Sequence, residues 1–256
     1  MTSEAKRIVL KFGSGILASA RGNALDEKQF TRLAAEVADL VRAGHECIIV
    51  SSGAVAAGLG ALQLNERPQE LAAVQACAAV GQSKLMQLYA TMFAAHGLNV
   101  AQLLLTHGDL DSRMRHRNAK NTLARLLENK NVVPIINEND SVAVEELRFG
   151  DNDRLSAEVA MLAEADLLIV LTSVDGLLNS ENDRIPEVTD IESVAHFVRE
   201  DKGKLSVGGM VSKLDAVRLA VRAGIPTVVA NGRQAGVIPK IVARADVGTR
   251  FLATVK

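Results

Sequence analysis

The sequence predicts an α/β fold, a three-layer α-β-α sandwich around a mostly parallel open sheet. Three observations carry this. Short apolar runs alternate with helix-period segments along nearly the whole chain. Several of the runs are apolar at every position rather than at alternate ones, the pattern of strands buried on both faces. Glycines, hydroxyls, amides and charges then stand where the runs end, and in open α/β sheets ligands sit at the carboxyl ends of strands.

The elements follow in order. RIVLKF from Arg7 is a strand that ends near Lys11 and runs into Gly13, Ser14 and Gly15; a charge at the end of a buried strand needs an anion to meet it. Phe30, Leu33, Ala34, Val37, Leu40 and Val41 keep helical spacing, with Asp26 and Gln29 as a capping pair and Gly44 as the stop. The second strand, CIIV from Cys47, leads to Ser51, Ser52, Gly53 and Ala54, where backbone N–H groups can close on a small anion. A long helix follows Pro68 and ends at His96 and Gly97, and VAQLLL from Val100 is the third strand. Residues 111–129 read as one helix, whose basic run Arg113, Arg115, His116, Arg117 forms a solvated face.

The densest polar stretch lies further on. VVPII from Val132 is a buried strand that continues into Asn137, Glu138, Asn139 and Asp140. Residues 141–149 alternate like a hairpin, and Gly150, Asp151, Asn152 and Asp153 precede another helix over residues 155–164. LLIVL from Leu167 should be a central parallel strand, ending in Thr172 and Ser173. Residues 179–203 are the most loop-like part of the chain. Gly208, Gly209 and Met210 then introduce Ser212, Lys213 and a helix to Ala223, followed by a strand over 227–230, a short helix over 237–243 and a last strand over 249–252.

Composition narrows the function classes. The 256 residues suit one large domain or two small ones. A formal net charge of −1, 3% aromatic residues and no Trp offer neither a phosphate-binding surplus nor base-stacking rings, so nucleic acid is not expected as a partner. Cys47 and Cys77 lack metal or redox spacing and read as buried thiols. No signal peptide opens the chain, and the longest nearly apolar run, residues 71–80, is too short for a bilayer, so a cytoplasmic protein without membrane contact is expected.

Two lysines, two glycine turns and a carboxylate cluster are suited to phosphoryl transfer, in which a protein mainly positions reactants and neutralises charge. GxxxxGK[ST] is absent. Gly13 to Ala18 does match GxGxxA, but the second strand ends in Ser51-Ser52 where a dinucleotide site places an acidic residue. No metal-ligand set is expected.

KFGSG at Lys11, SSGAVAAG at Ser51, AAVGQSKLMQLY at Ala78, INEND at Ile136, GDND at Gly150 and GGMVSKL at Gly208 together resemble the glutamate 5-kinase branch of the amino acid kinase family, over essentially the whole chain and in order. The resemblance implies a single amino acid kinase domain over residues 1–256, with residues 1–165 on the amino-acid side and 166–256 on the nucleotide side. It implies ATP-dependent phosphorylation of the side-chain carboxylate of L-glutamate, with Mg²⁺, as the first step of proline synthesis. A kinase for another small carboxylate or carbamate, or a non-catalytic sensor on the same fold, are the alternatives.

By the same resemblance, Lys11, Lys213 and Asp153 are catalytic, with Asp153 holding the lysines in register. Ser52, Gly53, Ala54, Asn137, Asp140 and Asn152 bind glutamate, Asp140 facing its ammonium group. Lys11, Gly13, Ser14, Gly15, Thr172, Ser173, Val207, Gly208, Gly209, Met210, Val211, Ser212 and Lys213 bind ATP, with the N–H groups of Gly13 and Gly15 on its phosphates. Thr172-Ser173 stands where the family usually has Thr-Asp. The resemblance further implies proline as a feedback inhibitor, channelling to glutamate 5-phosphate reductase and a homo-oligomer. It also implies a kinase domain without the C-terminal PUA domain of many bacterial members.

Overall fold

Arg7–Phe12 forms β1, and its alternation sets the layers of the molecule. Ile8, Leu10 and Phe12 enter one buried cluster while Val9 enters the other, so Lys11 follows Val9 onto the second face. The computed structural model describes residues 6–19, 21–143, 152–194, 196–197 and 209–253.

After β1 come a single helical turn, α1 (Ser14–Leu17), and the long α2 (Glu27–Arg42). The Asp26 carboxylate accepts from the Gln29 N–H at 3.1 Å, which caps α2 as the sequence suggests. The Gln29 side chain does not close a capping box; it donates to Gly232 O at 2.7 Å and ties α2 to a distant turn. Next are β2 (Glu46–Ser51), α3 (Ala54–Ala61), α4 (Leu71–Ala94) and β3 (Asn99–Leu105).

The helix predicted over 111–129 is two helices, α5 (His107–Asp111) and α6 (Arg113–Leu127). Thr106 and Asp109 form a reciprocal capping box that starts α5 early, and the extended Ser112 separates it from α6. Arg113, Arg115 and Arg117 are exposed, as a solvated face requires.

The chain continues through β4 (Val132–Glu138), α7 (Asp153–Leu162), β5 (Leu167–Thr172) and β6 (Glu187–Val188). It closes with α8 (Met210–Arg222), β7 (Thr227–Asn231), α9 (Val237–Val242) and β8 (Thr249–Phe251). From residue 144 onward the expected hairpin lies outside the described residues.

The sheet has eight strands in the order β3-β4-β2-β1-β5-β7-β8-β6. All pairings are parallel except β7 with β8. β5 is central and fully buried, as its apolar run requires. β6 was not expected, because residues 179–203 carry little strand pattern. Its two residues join the sheet edge by pairing with β8, a contact that a local reading cannot supply.

Helices cover both faces. Leu123 and Leu127 of α6, Leu155 and Val159 of α7, and Leu214 and Val217 of α8 pack on the face that carries Val9. Phe30 and Val37 of α2, Leu85 and Tyr89 of α4, and Ile238 and Ile241 of α9 pack on the other. Chain order changes direction at β1: β2, β4 and β3 lie to one side, β5 and β7 to the other. A cleft at the carboxyl ends beside β1 is therefore where a ligand is expected.

Candidate active site

Lys11 lies one step before the end of β1 and is only 3% exposed, on the face covered by α7 and α8. Asp153 opens α7 and is fully buried; its Oδ1 pairs with Lys11 Nζ. Lys213, in the first turn of α8, reaches Asp153 Oδ2 at 3.0 Å. One carboxylate thus stands between two ammonium groups brought from opposite halves of the sequence. Two ammonium groups that share one carboxylate in a desolvated place suit the approach of a polyanion. An acidic residue in the first turn of α7 also suits the positive end of the helix dipole.

The residue before Asp153 faces elsewhere. Asn152 Nδ2 donates to Asn137 Oδ1 at 2.7 Å and to the Ser51 carbonyl, and lies 3.5 Å from Ser52 Oγ. Asn137, at the end of β4, also accepts from its neighbour's amide, Glu138 N–H, at 3.0 Å and donates Nδ2 to Gln82 Oε1 at 2.8 Å. Amides from α4, β4 and α7 therefore meet the end of β2. Ser51 belongs to the support: it is fully buried with Oγ 2.8 Å from Tyr89 Oη, whereas Ser52 stays partly open.

Gly53 is left-handed (φ 102°), which directs the chain from β2 into α3. A Cβ on Gly81 of α4 would lie 1.8 Å from Ala54 O, and one on Gly58 would lie 1.9 Å from Cys77 O. Glycine at these two positions lets α3 and α4 touch backbone to backbone. The glycines of SSGAVAAG and AAVGQSK thus act here through packing.

On the other side of β1, Gly13 donates its N–H to Leu171 O at 3.2 Å. That amide is part of the sheet and is not available to a phosphate, which corrects the expectation for Gly13. Gly15, exposed in α1, faces Ser173: a Cβ on it would lie 3.6 Å from Ser173 Oγ. Ser14 is exposed beside it, and Thr172 is buried with its carbonyl accepting from Gly232 N–H at 2.8 Å. Ser212 Oγ donates to Gly209 O at 2.9 Å, Met210 is half-buried and Val211 is exposed at the start of α8. Val207 and Gly208 lie outside the described residues. Asp140 lines a cleft of about 240 Å³ with Gln82, Ser83 and Ser141.

The amino acid kinase family model matches residues 6–231. The chain belongs to the amino acid kinase family. This amino acid kinase is 48% identical over 255 residues to the glutamate 5-kinase of Thermus thermophilus, covering 97% of the present chain and 68% of that protein. It is 47% identical over 253 residues to the glutamate 5-kinase of Carboxydothermus hydrogenoformans, covering 96% and 68%. Among solved structures it is similar to the UMP kinase of Bacillus anthracis (TM-score 0.66, 17% identity, 98% and 97% covered). It is also similar to the carbamate kinase of Giardia lamblia bound to AMP-PNP (TM-score 0.67, 17% identity, 99% and 100% covered). These two likenesses establish the three-layer fold of this amino acid kinase. No helix among its described residues is long and apolar enough to cross a membrane.

Gln82 is the site residue that the sequence reading left without a role. It sits inside a quoted motif, directly after Gly81, and its contact with Asn137 depends on how α4 lies over β4.

Proposed function

We propose that the chain catalyses ATP-dependent phosphorylation of the γ-carboxylate of L-glutamate, giving L-glutamate 5-phosphate, the entry to proline synthesis, in the cytoplasm. The observation that carries it is the pair Asn152-Asp153, one side chain in the amide cluster and the next between the two lysines. The names of its relatives support the choice of glutamate.

A carboxylate is already ionised at neutral pH, so the nucleophile needs no general base. One of its oxygens attacks the γ-phosphorus of ATP. The bond from that phosphorus to the β,γ-bridging oxygen breaks, and ADP leaves with the electron pair. Lys11 and Lys213 flank the transferring group and offset the charge of the two anions that must approach each other. Asp153, in contact with both ammonium groups, holds them in register.

Ser52, Gly53, Ala54, Asn137 and Asn152 hold the amino acid, and Asp140 meets its ammonium group. Ser14, Gly15, Thr172, Ser173 and the segment 207–212 hold the nucleotide, with Gly15 rather than Gly13 presenting its amide to phosphate. Mg²⁺ bound to ATP would supply further charge neutralisation at the phosphates, and no side chain of this chain is assigned to hold it. The donor set fits that: Asp153 directs both oxygens to lysines and is not placed as a ligand.

Purified protein with ATP, Mg²⁺, L-glutamate and hydroxylamine is expected to form the γ-hydroxamate. Hydroxamate from aspartate or N-acetylglutamate but not from glutamate would overturn the substrate. Nucleotide binding with no turnover on any of them would favour the sensor.

A further inference from the structure

The hydrogen-bond directions in the amide cluster are fixed by groups that can act in only one sense. Glu138 N–H can only donate, and it donates to Asn137 Oδ1 at 3.0 Å. The Asn137 oxygen therefore faces its own backbone, and its Nδ2 is the atom directed at Gln82, 2.8 Å away. The Ser51 carbonyl can only accept, so the group Asn152 brings against it and against Asn137 Oδ1 is likewise an NH₂. With Asn137 donating, Gln82 must present Oε1 to it, and its NH₂ is left at the far end. Among the described residues this Nε2 has no acceptor, and it is closed off from solvent.

A buried donor without an acceptor is costly and rare in a native structure. This one terminates a polarised series of amides, on a side chain that lines the same cleft as Asp140. Its root is fixed, because Gly81 beside it holds α4 against the Ala54 carbonyl. The terminal torsion of a glutamine is soft, so a small rotation turns the NH₂ toward a cleft occupant while Oε1 keeps Asn137.

We infer that Gln82 is a substrate contact, donating Nε2–H to the α-carboxylate of the bound amino acid. This rests on the glutamate-kinase reading above. An anionic oxygen is the acceptor that best satisfies an orphaned N–H, and the α-carboxylate is the one attached to the carbon whose ammonium group Asp140 takes. The γ-carboxylate then remains free to turn toward Lys11 and Lys213. Gln82 thereby distinguishes an amino acid from an amine that carries only the reacting carboxylate.

Two variants separate a contact from a mere support for Asn137. Gln82→Glu keeps an oxygen for Asn137 Nδ2 but replaces the donor with a negative charge. Gln82→Met loses both bonds and adds no charge. A contact predicts that Gln82→Glu raises the glutamate KM the more, by about 10-fold or above, with the ATP KM within twofold, and that its deficit shrinks as pH falls and the new carboxyl gains a donor proton. A supporting role predicts the reverse order, and that order, or two variants with wild-type KM, overturns the inference. Wild-type protein without glutamate turnover overturns the functional reading and this inference with it. The side-chain amide resonance of Gln82 in wild-type protein supplies a readout independent of variant folding. It is expected to shift on adding L-glutamate, and an unmoved resonance refutes the contact.

Discussion

Lys11 shows how much a single position can carry. A lysine in the sixfold run RIVLKF looks like a defect in a buried strand until the face it occupies is known. Alternation with Val9 places it under α7, where Asp153 waits, and Lys213 completes the group. Replacing Lys11 or Lys213 by Ala is expected to lower kcat about 100-fold or more in the hydroxamate assay, the scale for losing one preorganised charge in a closed site. Asp153→Asn removes the carboxylate that two buried ammonium groups share, and urea unfolding is expected to show a loss of roughly 3–5 kcal/mol. Cys47 is the opposite case, a reactive residue type made inert: burial pushes its thiol up to about 12. Iodoacetamide at pH 8 is expected to leave Cys47 unmodified in the native protein and to label it in urea, as peptide mass analysis can show.

Between elements, two contacts set the geometry of the site. The first is the backbone crossing of α3 and α4. A methyl group at Gly81 meets Ala54 O, so Gly81→Ala must push the helices apart. That substitution is expected to cost about 1–3 kcal/mol in urea unfolding and to raise the glutamate KM, because Gly53 and Ala54 move with α3. The second contact is His107 of α5 with Glu158 of α7, at 2.6 Å. The hydrogen bond to Glu158 holds the His107 pKa above its usual 6.5. Glu158, although burial pushes it up, is held below 4.5 by hydrogen bonds from His107 and Arg154. The His107 contribution is thus complete below pH 6.5 and fades as pH rises through the elevated pKa. The Glu158 contribution is complete above pH 4.5 and fades as pH falls through the lowered one. Wild type is therefore expected to exceed His107→Gln in stability by more at pH 6 than at pH 9, as chemical denaturation at the two values can test.

At the scale of the whole molecule, β1 is the divide. The elements that carry Ser52, Gln82 and Asn137 lie to one side in strand order; those that carry Ser173 and Lys213 follow β5 on the other. Nucleotide binding should then brace both halves through the charged group at β1. ATP with Mg²⁺ at 100 times its dissociation constant is expected to stabilise the wild type by about 2.7 kcal/mol, seen as a rise in melting temperature. Lys11→Ala should show little of that rise at the same concentration.

The sequence by itself determined the layers and the succession of the principal strands along the chain, and it singled out Lys11, Asp153 and Lys213, which the fold brings together. Short apolar runs rich in β-branched residues and bounded by turn residues suit strands covered on both faces, and polar groups at their ends have no use in a core. Local pattern failed at α5 and α6, where a capping box at Thr106 outweighed the longer periodicity, and at β6, whose two residues become a strand only through β8. The tertiary structure alone decided that Gly13 gives its amide to β5, that Gly58 and Gly81 let two helices touch, and that Gln82 ends a series of amides with its donor unmet. Each of these depends on a partner 19 to more than 150 positions away along the chain, and hydrogen-bond direction is a property of the assembled group rather than of any residue in it.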